Sequence, residues 1–119
     1  MVCIFVVVAQ EIAHRTGDYY GDGSTNLIWE ISDEDGIAAE LYVEPTIRMI
    51  MNIEVREDRR SEGLARDLYE AATATGTIYH VPAWGCTPEG VAFADAMGGP
   101  ILDDETAAQI TGTDLDLLA

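Results

Sequence analysis

Between Leu27 and Val55 apolar and polar residues alternate in three successive runs, and a period of two commits such runs to strands of a sheet with unlike faces. "LIWEIS" puts Leu27, Trp29 and Ile31 on one face, and "IAAELYV" does the same for Ile37, Ala39, Leu41 and Val43. The "DEDG" between them is a turn sequence, so the pair reads as a β-hairpin. Pro45 ends the second strand. "RMIMNIEV" is a third strand, with Met49, Met51, Ile53 and Val55 on one side and Ile50, Asn52 and Glu54 on the other.

The remaining elements follow from helical spacing and punctuation. From Glu62 to Thr73, Leu64, Ala65, Leu68, Ala71 and Ala72 share a face opposite Arg66, Asp67 and Glu70. Glu62 with Arg66, and Arg66 with Glu70, stand at ion-pairing distance on such a helix, and Gly76 can stop it. "TIYHV" reads as a strand and Pro82 to Cys86 as a loop. "TPEGVAFADAMGG" reads as a helix with Thr87 as N-cap, Pro88 at the first position and Gly98 at the end. Ahead of the hairpin, residues 2–9 read as a buried strand and Glu11 to Arg15 as a short helical turn, followed by a Gly and Asp loop. From Asp103 onward the tail is open between a short helix, a last strand and a loose end. This order implies one α/β (α+β) domain over residues 1–119, a mixed, mainly antiparallel sheet flanked by helices. A chain of 119 residues buries about two thirds of its unfolded surface, enough for its own core.

Charge narrows the partners. The chain has 22 Asp and Glu against 6 Arg, no lysine, and a formal net charge of -16. Nucleic acid and anionic membranes would be repelled, whereas a cationic partner would be attracted. Cys3 and Cys86 stand far apart without CxxC or clustered histidines, so no disulfide framework and no metal site is expected. The apolar run "VCIFVVVA" is too short to span a bilayer and lacks a basic flank, which points to a core strand and a cytoplasmic protein.

Four of the six arginines nevertheless gather in "REDRRSEGLAR", residues 56–66. Residues 56–67 balance four Arg with four acids, so the rest of the chain carries the whole net charge of -16. A strand leading through Arg and Gly into a helix start is a device for holding phosphate, because the first helical amides have no internal partner and Gly lets a ligand approach. Arg60, Ser61, Glu62, Gly63, Leu64 and Ala65 match the Arg/Gln-x-x-Gly-x-Gly/Ala signature, and with "TIYHVPAW" and "TPEGVAFADAMGG" behind it the stretch 48–99 resembles the GNAT acyltransferase superfamily. The resemblance implies a small GNAT-like fold that binds acetyl-CoA as acyl donor. Pantetheine would lie between two splayed parallel strands ending near Val55 and Val81, with Val55 supplying a main-chain oxyanion donor and residues 61–65 the pyrophosphate site next to Arg60. The competing reading of the same arginines is a salt-bridged surface with Glu57, Asp58, Glu62 and Asp67.

Transfer to an amine needs a group to take the amine's proton. Glu54, beside the expected thioester, is the first candidate; Tyr79 and His80 follow, with Asn52 behind them. Strands at this place in the family often carry a bulge, which would change the face Glu54 occupies. The chain departs from the family at Ala94, where relatives place a Tyr as acid, at Thr87, where they have Asn, and at Glu62, where a basic residue is common. Tyr79 or Cys86 could stand in for the missing Tyr. The segment 10–26 is short for the acceptor-binding helices of relatives, which suggests a homodimer in which a partner subunit completes the site. The acceptor expected is a cationic amine, small molecule or protein. The alternative is a catalytically inert GNAT-like acidic protein that blocks a basic partner.

Overall fold

The computed structural model describes residues 11–19 and 21–118. Four strands, β1 (Ala13–Gly17), β2 (Asn26–Asp33), β3 (Gly36–Val43) and β4 (Ile50–Val55), form an antiparallel meander in that order. A short 3-10 turn, Glu57–Arg59, leads to α1 (Leu64–Thr73); α2 (Pro88–Met97) and α3 (Asp104–Thr111) follow. The architecture is thus α+β. Among the described residues parallel pairing is confined to two isolated bridges, Met49 with Tyr79 and His80 with Ile101, so "TIYHV" contributes two bridging residues where a full strand was expected. The expected strand over residues 2–9 lies outside the described residues.

The hairpin forms, but its register slips between Ile31 and Ser32, so Ala38 enters the core and Ile37, expected on the core face, is 44% exposed. Glu34 and Asp35 make the turn, and Gly36 takes the left-handed φ of 115° that closes it. Trp29, Ile31, Ala39, Leu41 and Val43 face α1 and pack on Leu64, Leu68, Tyr69 and Ala72. The expected turn of helix at Glu11 to Arg15 is instead β1. Five residues make too few helical hydrogen bonds to repay nucleation, whereas the edge of β2 offers a ready ladder. His14 stacks on Trp29 at 4.3 Å, and Arg15 pairs with Glu30.

β4 departs from strict alternation. Tyr42 opposes Asn52 but Val43 opposes Ile50, which leaves Met51 without a counterpart. Met51 is therefore 40% exposed, while Ile50 joins the same core cluster that Ile53 and Val55 pack against, correcting the assignment of faces on this strand. Asn52 and Glu54 stay on the side away from α1, beyond the irregularity.

The helix ends match the punctuation. Thr87 Oγ1 accepts from the Gly90 amide at 3.1 Å, and the Gly98 amide donates to the Ala94 carbonyl. The open tail resolves as α3, capped by Asp103 and packed through Ala107 and Ile110 on Met49, Leu102 and Trp84.

Candidate functional site: an uncapped helix start beside a row of carboxylates

The end of β4 runs through the 3-10 turn into α1, and three backbone features shape that passage. Ser61 has a φ of 67° and Gly63 a φ of 81°, both left-handed. For Ser61 this conformation costs about 1 kcal/mol, so surrounding contacts must hold it. Gly63 caps α1 without a side-chain acceptor, and the first hydrogen bond into the helix runs from Asp67 N to Gly63 O. The amides of Leu64, Ala65 and Arg66 thus precede the helical ladder. The space where a side chain on Gly63 would extend is open for at least 4 Å.

The arginines divide into two kinds. Arg56 and Arg59 both grip Asp33 at the tip of the β2–β3 hairpin, and they also pair with Asp58 and Glu62 respectively. Hydrogen bonds from Arg56, the Asp35 amide and Arg59 hold the Asp33 carboxyl well below the usual carboxylate range. Asp33 and Glu62 in turn raise Arg56 and Arg59 above the usual guanidinium value. This half of the cluster is the salt-bridged surface, although Glu62 pairs with Arg59 and not with Arg66. Among the described residues Arg60 and Arg66 make no ion pair; Arg60 Nε donates to the Val55 carbonyl at 3.3 Å.

On the sheet face away from α1, Glu30, Glu40 and Glu54 stand opposite one another across β2, β3 and β4. Like charges in that relation repel. Arg15 offsets Glu30, and the Tyr42 hydroxyl donates to Glu40, itself only 4% exposed, at 3.2 Å. Burial, then the charge of Glu40, raises the Tyr42 phenol above its ordinary value. Burial likewise raises Tyr19, helped by Glu54 and Glu40; Asn52 Nδ2 donates to the Tyr19 hydroxyl at 3.1 Å. A cavity of about 230 Å³ opens at the end of this row, lined by Ala39, Glu40, Glu54, Val55 and Arg56 among others.

Arg60 reaches back to the Val55 carbonyl, next in the chain to Glu54, but residues 60–65 do not line the cavity at Glu54, and the Leu64 side chain is buried. Tyr79 and His80 do not line the Glu54 cavity. Tyr79 packs in the cluster under α3. His80 is 3% exposed, stacks on Tyr69, and has Nε2 at 2.7 Å from the Gly98 carbonyl, which gives it a packing role. Asp33, Glu40, Tyr42 and Tyr19 went unnoticed in the sequence. For Glu40 and Tyr42 the signal was the alternation, but only strand register brings the acids into line; Asp33, at a turn, and Tyr19, outside the strands, lacked it. A larger hollow of about 390 Å³ along α3, lined by Glu105, Gln109, Asp114 and Asp116, holds none of the expected site residues. Among the described residues no cluster of His, Cys, Asp and Glu could hold a metal, and no helix is long and apolar enough to cross a membrane.

One further relation concerns β4. Ile50 N donates to Tyr79 O and Tyr79 N to Arg48 O, so the two segments run parallel and joined at that point. His80 then pairs with Pro100 and Leu102, and among the described residues no backbone hydrogen bond joins 51–55 to 81–86. No protein-family model matches the chain, and no curated protein and no solved structure is significantly similar to it.

Proposed function

We propose that the protein binds acyl-CoA and transfers the acyl group to a cationic amine, as a small GNAT-like N-acetyltransferase. The observation that carries this reading is the uncapped start of α1, with Arg60 and Arg66 outside every ion pair among the described residues, placed after β4, whose residues 51–55 share no backbone hydrogen bond with 81–86 among the described residues. In a chain of net charge -16 this stretch is locally neutral, and the first amides of the helix are free of its internal ladder, which suits an anion. Leu64, Ala65 and Arg66 would offer their amides to the pyrophosphate and Arg60 its guanidinium, with the pantetheine arm running along β4 toward Glu54.

The chemistry would be direct. The acceptor amine first gives its ammonium proton to water; the neutral nitrogen then attacks the thioester carbonyl carbon, the C–S bond breaks, and the electron pair leaves on the CoA sulfur as thiolate. Glu54 takes the proton the nitrogen loses, and the thiolate takes one from water. The carboxylate row would favour a cationic acceptor at the Glu54 end. His80 and Tyr79 drop out of the proton chain in this arrangement.

The test is titration calorimetry of acetyl-CoA and CoA into the full chain and into Gly63→Trp. Micromolar heats in the wild type and none in the variant are expected, because a bulky side chain at a φ of 81° both strains the loop and stands over the helix start. No binding at millimolar ligand would sink the reading. The second reading, an acidic protein that blocks a basic partner, draws on the absence of any Arg or Lys after Arg66; it would then take precedence.

A further inference from the structure

The loop that would cradle the anion starts at β4, yet its strongest tether lies elsewhere in the chain. Asp33 sits at the hairpin tip between β2 and β3 and accepts from two guanidiniums at once. Arg56 Nη1 donates to Oδ1 at 3.1 Å and Nη2 donates to Oδ2, while Arg59 Nη1 reaches Oδ2 at 2.6 Å. The Asp35 amide fixes the carboxylate from behind at 2.9 Å. Arg59 passes the restraint onward, with Nε and Nη2 on the two oxygens of Glu62 at 2.8 and 3.1 Å. Glu62 stands between Ser61 and Gly63, the two left-handed residues. The side chains of Asp33, Arg56 and Arg59 are only 22%, 27% and 18% exposed, so water screens the pairs on Asp33 less than it would a surface pair, whereas Glu62 at the end of the chain is 44% exposed.

From this geometry we infer that Asp33 is a positioning residue: through Arg56, Arg59 and Glu62 it holds Ser61 and Gly63 left-handed and so aims the first amides of α1 at the ligand. The inference rests on the proposed anion site, but its structural half can be read without any ligand. It also carries a sign. Removing Asp33 takes one negative charge from beside two guanidiniums near an anion site, although Asp58 and Glu62 still pair with them, and by simple charge counting this would tighten binding; if positioning dominates, binding weakens instead.

The experiment compares wild type, Asp33→Asn and Asp33→Asn with Ser61→Gly, by CoA titration and by amide hydrogen exchange. In Asp33→Asn, binding about tenfold weaker is expected, with faster exchange confined to residues 56–67 and that of β2 and β3 unchanged. Ser61→Gly, which removes the steric cost of the left-handed turn, should recover most of the affinity; a merely stabilising ion pair predicts no such rescue. Equal or tighter CoA binding by Asp33→Asn would overturn the inference and leave the proposed function standing. Should wild type bind no CoA, the proposed function falls and with it the ligand half. Exchange then decides the positioning half, unchanged rates in 56–67 overturning it and faster rates supporting it.

Discussion

Asp33 and Leu68 show two ways in which one residue supports this fold. Leu68 is fully buried between α1 and the sheet, in the cluster of Trp29, Leu41 and Tyr69. Leu68→Ala should lower stability by about 2–5 kcal/mol in urea unfolding, because neighbours on a sheet relax little into the cavity left behind; a loss below about 1 kcal/mol would mean that α1 is not seated there. Its role was legible from helical spacing alone. Asp33 was not legible, since a turn acid looks like any other until the fold carries Arg56 and Arg59 to it across 23 and 26 residues. His80 errs the other way. A histidine near a strand end invites a catalytic reading, but the Gly98 carbonyl and the Tyr69 ring occupy it.

Elements with strong end signals form where the residues place them. α2 starts at Thr87 with Pro88 and ends at Gly98, all local chemistry. Thr87→Ala should cost about 1 kcal/mol, measured as a shift of the thermal or urea midpoint, since it strands one amide of the first turn. Thr87→Ser should restore most of the loss. Elements governed by a neighbour behave differently. β1 is a strand because β2 presents an edge to it, and β4 shifts by a residue at Met51 because Val43 pairs with Ile50. α1 begins at Leu64 and not at Glu62, because Ser61 and Gly63 stay left-handed and Glu62 is drawn to Arg59.

Across the whole molecule, titration should define a plateau of stability with two edges. Asp33, Asp58 and Asp103 have lowered folded values, through hydrogen bonds from Arg56 to the first two and from the Thr106 amide to the third. Their contribution is therefore present above the unfolded carboxylate value of about 4 and is lost as pH falls below it toward the depressed folded values. Tyr19, Tyr42 and Tyr69 are raised, chiefly by burial, so their contribution is present below about pH 10 and is lost as pH rises through the folded values. Urea unfolding across pH should show both edges, and the deficit of Asp33→Asn should be constant on the plateau and shrink in acid; a deficit that persisted at low pH would place its cause outside the ion pairs. Hairpin, helix caps, amphipathic α1 and the gathering of arginines before it were all readable in order along the chain, because each depends on residues within about one turn or one alternation of each other. The alignment of Glu30, Glu40 and Glu54, the tether from Asp33 to the loop, the single parallel bridge from Met49 to Tyr79 and the packing of His80 were not, because each is a meeting of segments distant in sequence, and such meetings are set by strand register and side-chain packing.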